Sequence, residues 1–69
     1  LTIGQALDLV TTLRAGLDDE DDGVRLQVIG AVVAAGDVAA VRTLAELARV
    51  DLNPRIRAAA RTALAELAR

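Results

Sequence analysis

The sequence contains no cysteine, histidine, methionine, serine, lysine or aromatic residue. Without cysteine there are no disulfides, and the composition permits a reducing cytoplasm, which is the compartment we expect. Without histidine, the chain lacks the most common general base and metal ligand. Threonine supplies the only side-chain hydroxyls, with no His, Lys or Cys nearby to activate them. We therefore expect no enzyme, no cofactor and no metal site.

Long hydrophobic runs are also missing. The longest uncharged stretch, residues 26–36, is far shorter than the roughly 20 apolar residues that span a bilayer. No signal peptide is visible, and we expect no membrane contact. Because the chain begins with Leu1 rather than Met, we expect it to be cut from a longer polypeptide.

The charges are unevenly distributed along the 69 residues. Residues 1–37 carry seven acids and two arginines, a net charge of −5, whereas residues 38–69 carry three acids and six arginines, a net charge of +3. This polarity favours head-to-tail contact with a second copy or with a neighbouring repeat over binding to nucleic acid.

The chain nearly repeats itself at an offset of 32 residues, which places DEDDGVR (19–25) over DLNPRIR (51–57). The matched pairs are Asp19 with Asp51, Val24 with Ile56, Arg25 with Arg57, Ala31 with Ala63, and Val32 with Leu64. A period of this length is typical of stacked helical units, which present a surface rather than a catalytic pocket.

Apolar spacing and end signals predict four helices. Their approximate bounds are Ile3–Ala15, Gly23–Ala35, Val38–Val50 and Pro54–Ala68. The start signals are a Thr2/Gln5 capping box, Asp21 or Asp22, Asp37, and Asn53 followed by Pro54. Gly16 and Gly36 mark the first two ends.

Each predicted helix has an apolar stripe that we expect to be buried. The stripes are Ile3, Ala6, Leu7, Val10, Leu13 and Leu17; Val24, Val28, Ala31, Val32 and Ala35; Val38, Val41, Leu44, Ala45 and Ala48; and Ile56, Ala59, Ala60, Ala63, Leu64 and Leu67. The second helix has a further stripe of Leu26, Ile29, Gly30 and Val33, which predicts neighbours on both of its faces.

Two helical hairpins, an Asp in each inner turn and a Val-Arg or Ile-Arg pair near the start of each second helix resemble HEAT repeats, of the bacterial kind called lyase-associated HEAT-like repeats. The resemblance covers the whole chain as two units, 1–36 and 37–69. It implies an all-α fold of two stacked antiparallel hairpins, a short α-solenoid, with the second and fourth helices on the inner face.

The resemblance also implies a ladder of Asp and Arg side chains that links adjacent units. Its members here are Asp19, Arg25, Asp51 and Arg57. The first unit departs from the second in having Asp22 and Gly23 where the second has Pro54 and Arg55. Two units are also fewer than the three or more that such arrays usually need for stability.

Two further patterns suggest other chemistry. Asp18, Glu20, Asp22 and Gly23 fit the first positions of a calcium-binding EF-hand loop, but Ile29 stands where a bidentate carboxylate is required. We therefore interpret the acidic run as a solvated, helix-capping loop. Arg55, Arg57 and Arg61 cluster on the last helix, but the acidic total and the lack of aromatics argue against nucleic acid.

The best candidate for a binding surface is the second stripe of the second helix. Leu26, Ile29 and Val33 have Ala58, Arg61 and Ala65 as counterparts at the 32-residue offset. The stripe either packs against the adjoining unit or forms a shallow apolar groove, edged by Arg57 and Arg61, for an amphipathic acidic helix or a second copy.

The sequence thus predicts a protein-interaction module of HEAT-like repeats. One alternative is a compact four-helix docking or dimerisation domain of a larger polypeptide, in which the fourth helix would close against the first. The other alternative is a nucleic-acid-associated helical repeat.

Overall fold

The structure is a computed structural model that describes residues 2–69. It contains four α-helices: α1 (Ile3–Ala15), α2 (Asp22–Ala34), α3 (Val41–Val50) and α4 (Pro54–Leu67). Two single 3₁₀ turns, Gly16–Asp18 and Val38–Ala40, follow α1 and precede α3. The described residues include no β-strand, so the all-α prediction is confirmed.

The starts of α1, α2 and α4 are each capped by a side chain that accepts a hydrogen bond from a backbone amide of the first turn. At α1 the Thr2 Oγ1 accepts from the Gln5 amide at 3.1 Å while the Gln5 Oε1 accepts from the Thr2 amide at 2.8 Å, which completes the predicted capping box. Asp21 caps α2 through the Val24 amide. Asn53 caps α4 at the Arg55 amide, ahead of the proline that fits a first helical turn.

The end of α2 depends on one glycine. Gly36 adopts φ +63°, a left-handed conformation that glycine tolerates best. Its amide donates to the Val33 carbonyl and the Asp37 amide donates to the Val32 carbonyl, both at 3.0 Å. This paired arrangement satisfies two of the free carbonyls at the helix end and turns the chain towards α3.

The third helix differs from its prediction in its first turn. Residues Val38–Ala40 form a 3₁₀ turn rather than α-helix. Asp37 stands at the predicted cap position, but its carboxylate binds the Arg14 guanidinium rather than a backbone amide. A charged partner offers a stronger hydrogen bond than a neutral amide does, which accounts for the different orientation.

The helices stack as two hairpins. α4 packs against α3 within its own hairpin and against α2 of the first hairpin, whereas α1 and the turn after it pack against α2. Residues 2–69 show no substantial contact between α1 and α4, so the closed four-helix bundle is not the fold. The stacked arrangement of a short α-solenoid is confirmed.

The core lies between the hairpins and is made of aliphatic side chains. Its buried members are Leu17, Ile29, Val32, Ala40, Leu44, Ile56, Ala60 and Ala63. Leu17 comes from the 3₁₀ turn after α1 rather than from α1 itself, which contributes no buried residue.

Three of the predicted buried stripes are wrong in part. Ile3 and Leu7 of α1 are exposed, and so are Val24 and Ala35 at the two ends of the α2 stripe. Val38, Val41 and Ala45 at the start of the second hairpin are exposed as well. Periodicity places these residues on one face of a helix, but burial also needs a neighbouring element. Within residues 2–69, no element covers these positions.

Among the described residues, no helix is long and apolar enough to cross a membrane.

Candidate functional site

A shallow apolar groove runs between α2 and α4. Its volume is about 370 Å³. The lining residues are Leu26, Ile29, Gly30, Val33, Ala59, Thr62, Ala63 and Glu66. We call this surface the inner groove. Gly30 leaves space in it, because a Cβ placed at this residue would meet no atom within 4 Å.

The three apolar residues predicted to bind a partner all line the inner groove, but at different depths. Ile29 is buried and belongs to the core that joins α2 to α4. Val33 is partly buried against that core, and Leu26 is more exposed. Ile29 therefore holds the hairpins together at the base of the groove, whereas Leu26 presents apolar surface to solvent.

The structure places Arg57 and Arg61 away from the inner groove. Arg57 donates from Nη1 to the Asp51 carbonyl, and Arg61 donates from Nη1 to the Ala48 carbonyl at 3.3 Å. Carbonyls at a helix C-terminus lack partners within the helix and attract cations. The expected arginine edge is therefore wrong, because both side chains fold back onto the end of α3 and the loop beyond it.

Thr62 and Glu66 provide the polar edge of the groove instead. Neither residue stands out in the sequence, because neither belongs to a motif or an apolar stripe. Thr62 and Glu66 lie four residues apart, one turn of α4, and share a face of this helix with Ala59 and Ala63, which are also four residues apart. A search for polar residues on the groove side of α4 could have found them.

The four residues predicted to form a ladder lie in and just after the two inner turns: Asp19 and Asp51 in the turns, Arg25 and Arg57 at the start of α2 and α4. The Arg25 guanidinium contacts the Asp51 carboxylate through Nε at 3.0 Å and Nη2 at 3.3 Å, and its Nη1 donates to the Asp19 carbonyl at 2.8 Å. This arginine thereby joins the first inner turn to the second. We call Asp19, Arg25, Asp51 and Arg57 the loop ladder.

The two inner turns share the same hydrogen bonds. In the first turn the Asp19 Oδ1 accepts from the Asp21 amide, and in the second the Asp51 Oδ1 accepts from the Asn53 amide, both at 2.9 Å. Each arginine donates from Nη1 to the carbonyl of the aspartate six residues before it. The 32-residue sequence repeat is thus a structural repeat at these positions.

A second link between the turns runs through Asp22. Its Oδ2 accepts from Asn53 Nδ2 at 2.9 Å, and its Oδ1 lies 2.6 Å from Arg25 Nη2. The hydrogen bond from Asn53, with help from Arg25, holds the pKa of the Asp22 carboxyl below its usual range. The hydrogen bonds from Arg25 to Asp51 and Asp22 raise the pKa of the guanidinium.

A third polar link joins α1 to the start of the second hairpin. Arg14 donates from Nε and Nη2 to the two carboxylate oxygens of Asp37, at 2.8 and 2.9 Å. The hydrogen bond from Arg14 lowers the pKa of the buried Asp37, although burial opposes that shift. This pair could not be predicted from the sequence, because no short motif relates residues 23 positions apart.

The acidic run serves the turn and the helix start. Asp19 and Asp21 accept backbone amides, while Asp22 binds Arg25 and Asn53. In residues 2–69 no group of three acidic side chains is close enough to hold a metal ion.

Two stacked helical hairpins with an apolar groove between their inner helices define a helical-repeat protein of the α-solenoid class. The chain matches the family model for HEAT repeats over residues 2–65. It therefore belongs to the HEAT-repeat family. Neither a curated protein nor a solved structure gives a significant match. HEAT repeats generally mediate protein–protein interaction, and the family is typically a non-catalytic scaffold.

Proposed function

We propose that this chain is a non-catalytic protein-interaction module whose inner groove binds one amphipathic helix of another protein. The observation that carries this proposal is the open apolar groove between the two inner helices. Its volume lies at the lower end of the roughly 300–1,000 Å³ that is usual for ligand pockets. Such a groove can accept apolar side chains from an amphipathic helix lying across it.

The charge at the groove edge points to the polarity of the partner. Glu66 lies at the groove, and the arginines that were expected there bind backbone carbonyls of residues 48 and 51. A partner with Lys or Arg beside its apolar stripe would complement Glu66, whereas an acidic partner would be repelled. Apolar burial at about 25 cal/mol per Å² would supply the affinity, and the charge would set the orientation.

Three finer points accompany this proposal. The two repeats span 1–36 and 37–69, and the loop ladder links them. The subtype is that of bacterial lyase-associated HEAT-like repeats, on the ground of the two matched Asp…Val-Arg and Asp…Ile-Arg segments. The compartment is the cytoplasm, which the cysteine-free composition permits.

The experiment uses two synthetic amphipathic peptides as probes. Both carry leucines at i, i+3, i+4 and i+7. One has arginines beside this stripe, and the other has glutamates in the same positions. Amide chemical shifts of the labelled chain are followed during titration. We expect the arginine peptide to bind more tightly and to shift the amides of α2 and α4 around the groove.

Gly30→Leu separates binding from folding. A Cβ at residue 30 meets no atom within 4 Å, so a leucine side chain placed there would extend into the groove, and leucine favours helix more than glycine does. The variant should stay folded and lose the peptide-induced shifts. Gly4→Leu in α1, outside the groove, is the matched control and should keep them. Shifts that persist in Gly30→Leu, or that appear only outside α2 and α4, would overturn the proposal.

A further inference from the structure

Two members of the loop ladder, Asp19 and Arg57, lack a partner from a neighbouring turn among residues 2–69. Arg25 uses Nη1 for its own turn and uses Nε and Nη2 for the Asp51 carboxylate of the next turn. Arg57 makes the same Nη1 contact with its own turn. Among residues 2–69, however, its Nε and Nη2 have no acceptor. One end of the chain thus presents two free donors in the position that Arg25 uses to bind a carboxylate.

The matching acceptor lies at the other end of the chain. Asp51 receives Arg25 on its carboxylate while its Oδ1 also accepts the Asn53 amide. Asp19 has the same turn, with Oδ1 bound to the Asp21 amide. Its Oδ2, the equivalent of the atom that receives Arg25 Nε in Asp51, has no donor within the described part of the chain. Asp19 is also exposed.

We propose that two copies of this chain associate head to tail, with Arg57 of one copy binding the Asp19 carboxylate of the next copy. The new contact repeats, at the 32-residue offset, the bond that Arg25 makes with Asp51 inside the chain. The overall charges favour the same direction, since residues 38–69 carry +3 and residues 1–37 carry −5.

The 32-residue offset also predicts that the contact between two copies is weak. Inside the chain, Leu26, Ile29 and Val33 face the next hairpin across the groove. At the end of a copy, the equivalent residues are Ala58, Arg61 and Ala65, which offer less apolar area. Charge therefore contributes most of the attraction, and the association weakens as salt screens it. A contact of this kind uses different surfaces on the two copies and leads to open chains or rings.

The test is sedimentation velocity of the full chain over a range of concentrations at low salt. We expect the average mass to rise with concentration and to fall on adding salt. Asp19→Arg and Arg57→Asp each place like charges at the junction and should move association to roughly tenfold higher concentration or beyond. An equimolar mixture of the two variants should restore association, because it contains both the native pair and its reversed form.

Asp18→Arg and Arg55→Asp are the controls, since they change the net charge equally at exposed neighbouring positions. They should weaken association clearly less than the ladder variants do, because they leave the Arg57–Asp19 contact in place. Circular dichroism checks that each variant is folded. If Arg57→Asp does not fold, Asp19→Asn decides, because it keeps the oxygen that accepts the Asp21 amide and removes only the charge.

Three results would overturn this inference: an unmodified chain that stays monomeric at every concentration, controls that fail as the ladder variants do, or a mixture that remains monomeric. Association that stops at a dimer and is lost in Gly30→Leu would assign the contact to the inner groove instead. Peptide binding in the groove is independent of this outcome, since Asp19→Arg leaves all groove residues in place.

Discussion

Arg25 holds the Asp51 carboxylate across the boundary between the two hairpins, with Nε 3.0 Å from Oδ2. The Arg25 side chain is only 14% exposed and that of Asp51 only 4%. The same guanidinium also contacts Asp19, Glu20 and Asp22. One side chain therefore ties α2, its preceding turn and the turn before α4 into one unit.

Removal of this arginine should destabilise the chain far more than removal of a surface arginine. Arg25→Ala leaves a buried carboxylate without its cation, whereas Arg49→Ala breaks an exposed pair with Glu46. We expect the loss of unfolding free energy for Arg25→Ala to be about threefold larger or more. Urea denaturation followed by circular dichroism measures both. Equal losses would contradict a structural role for Arg25.

Stability should fall in acid because of the Arg14–Asp37 pair. The pKa of Asp37 is lowered in the folded chain, so the unfolded chain takes up a proton first as the pH falls. The contribution of the pair is therefore complete above about pH 4, the ordinary range of a carboxyl, and is lost progressively below it. Thermal unfolding between pH 7 and pH 2 should show this decline.

Asp37→Asn tests which carboxyl is responsible. The asparagine cannot ionise, so the variant should be less stable at pH 7 and should lose less stability on acidification than the unmodified chain. Asp18→Asn is the control, because Asp18 is exposed, and it should keep the full decline. An unchanged pH profile in Asp37→Asn would remove this pair from the explanation.

The core should respond to truncation according to burial rather than to residue type. Leu44 is fully buried and Leu52 is 95% exposed. Leu44→Ala should cost about 2–5 kcal/mol, whereas Leu52→Ala should cost about 0.5 kcal/mol or less. If Leu44→Ala does not fold, Leu44→Val should still cost about 1 kcal/mol. Similar costs at the two positions would contradict the described packing.

Most of the helix bounds, though not the start of α3, could be predicted because their signals are local. The capping box at Thr2, the Asn53-Pro54 start and the Gly36 stop each act within a few residues. Which side chains are buried is harder to predict, because burial depends on which other element packs against that face of the helix. Ile3 and Val38 have suitable spacing for a buried stripe, but no helix among residues 2–69 covers them.

The candidate site was likewise predictable only in part. Leu26, Ile29 and Val33 were found from the second apolar face of α2, and the positions of the loop ladder follow from the repeat. The direction of long arginine side chains does not follow from sequence spacing. Arg57 and Arg61 have several acceptors within reach, and only the structure shows that carbonyls at the end of α3 receive them.

Replacing Gly16 or Gly30 by alanine should change the free energy of unfolding in opposite directions. Gly16 has an ordinary backbone conformation, but a Cβ there would lie 2.7 Å from Val28 Cγ2. Either the Val28 side chain would have to leave its position or the turn after α1 would have to move away from α2, and we expect Gly16→Ala to cost about 1–3 kcal/mol. Gly30 lies inside α2 with open space around it, so Gly30→Ala should add about 0.5–1 kcal/mol.

The cause of the Gly16 effect can be checked by removing its neighbour. Val28→Ala alone should lower the free energy of unfolding, because Val28 packs against the core. In the double variant with Gly16→Ala, the new methyl group occupies part of the space that the valine leaves. The cost of the double variant should therefore be clearly smaller than the sum of the two single costs, as measured by urea denaturation. Strict additivity would mean that Gly16 is needed for some reason other than its close contact with Val28, and the packing of α1 on α2 would need a different explanation.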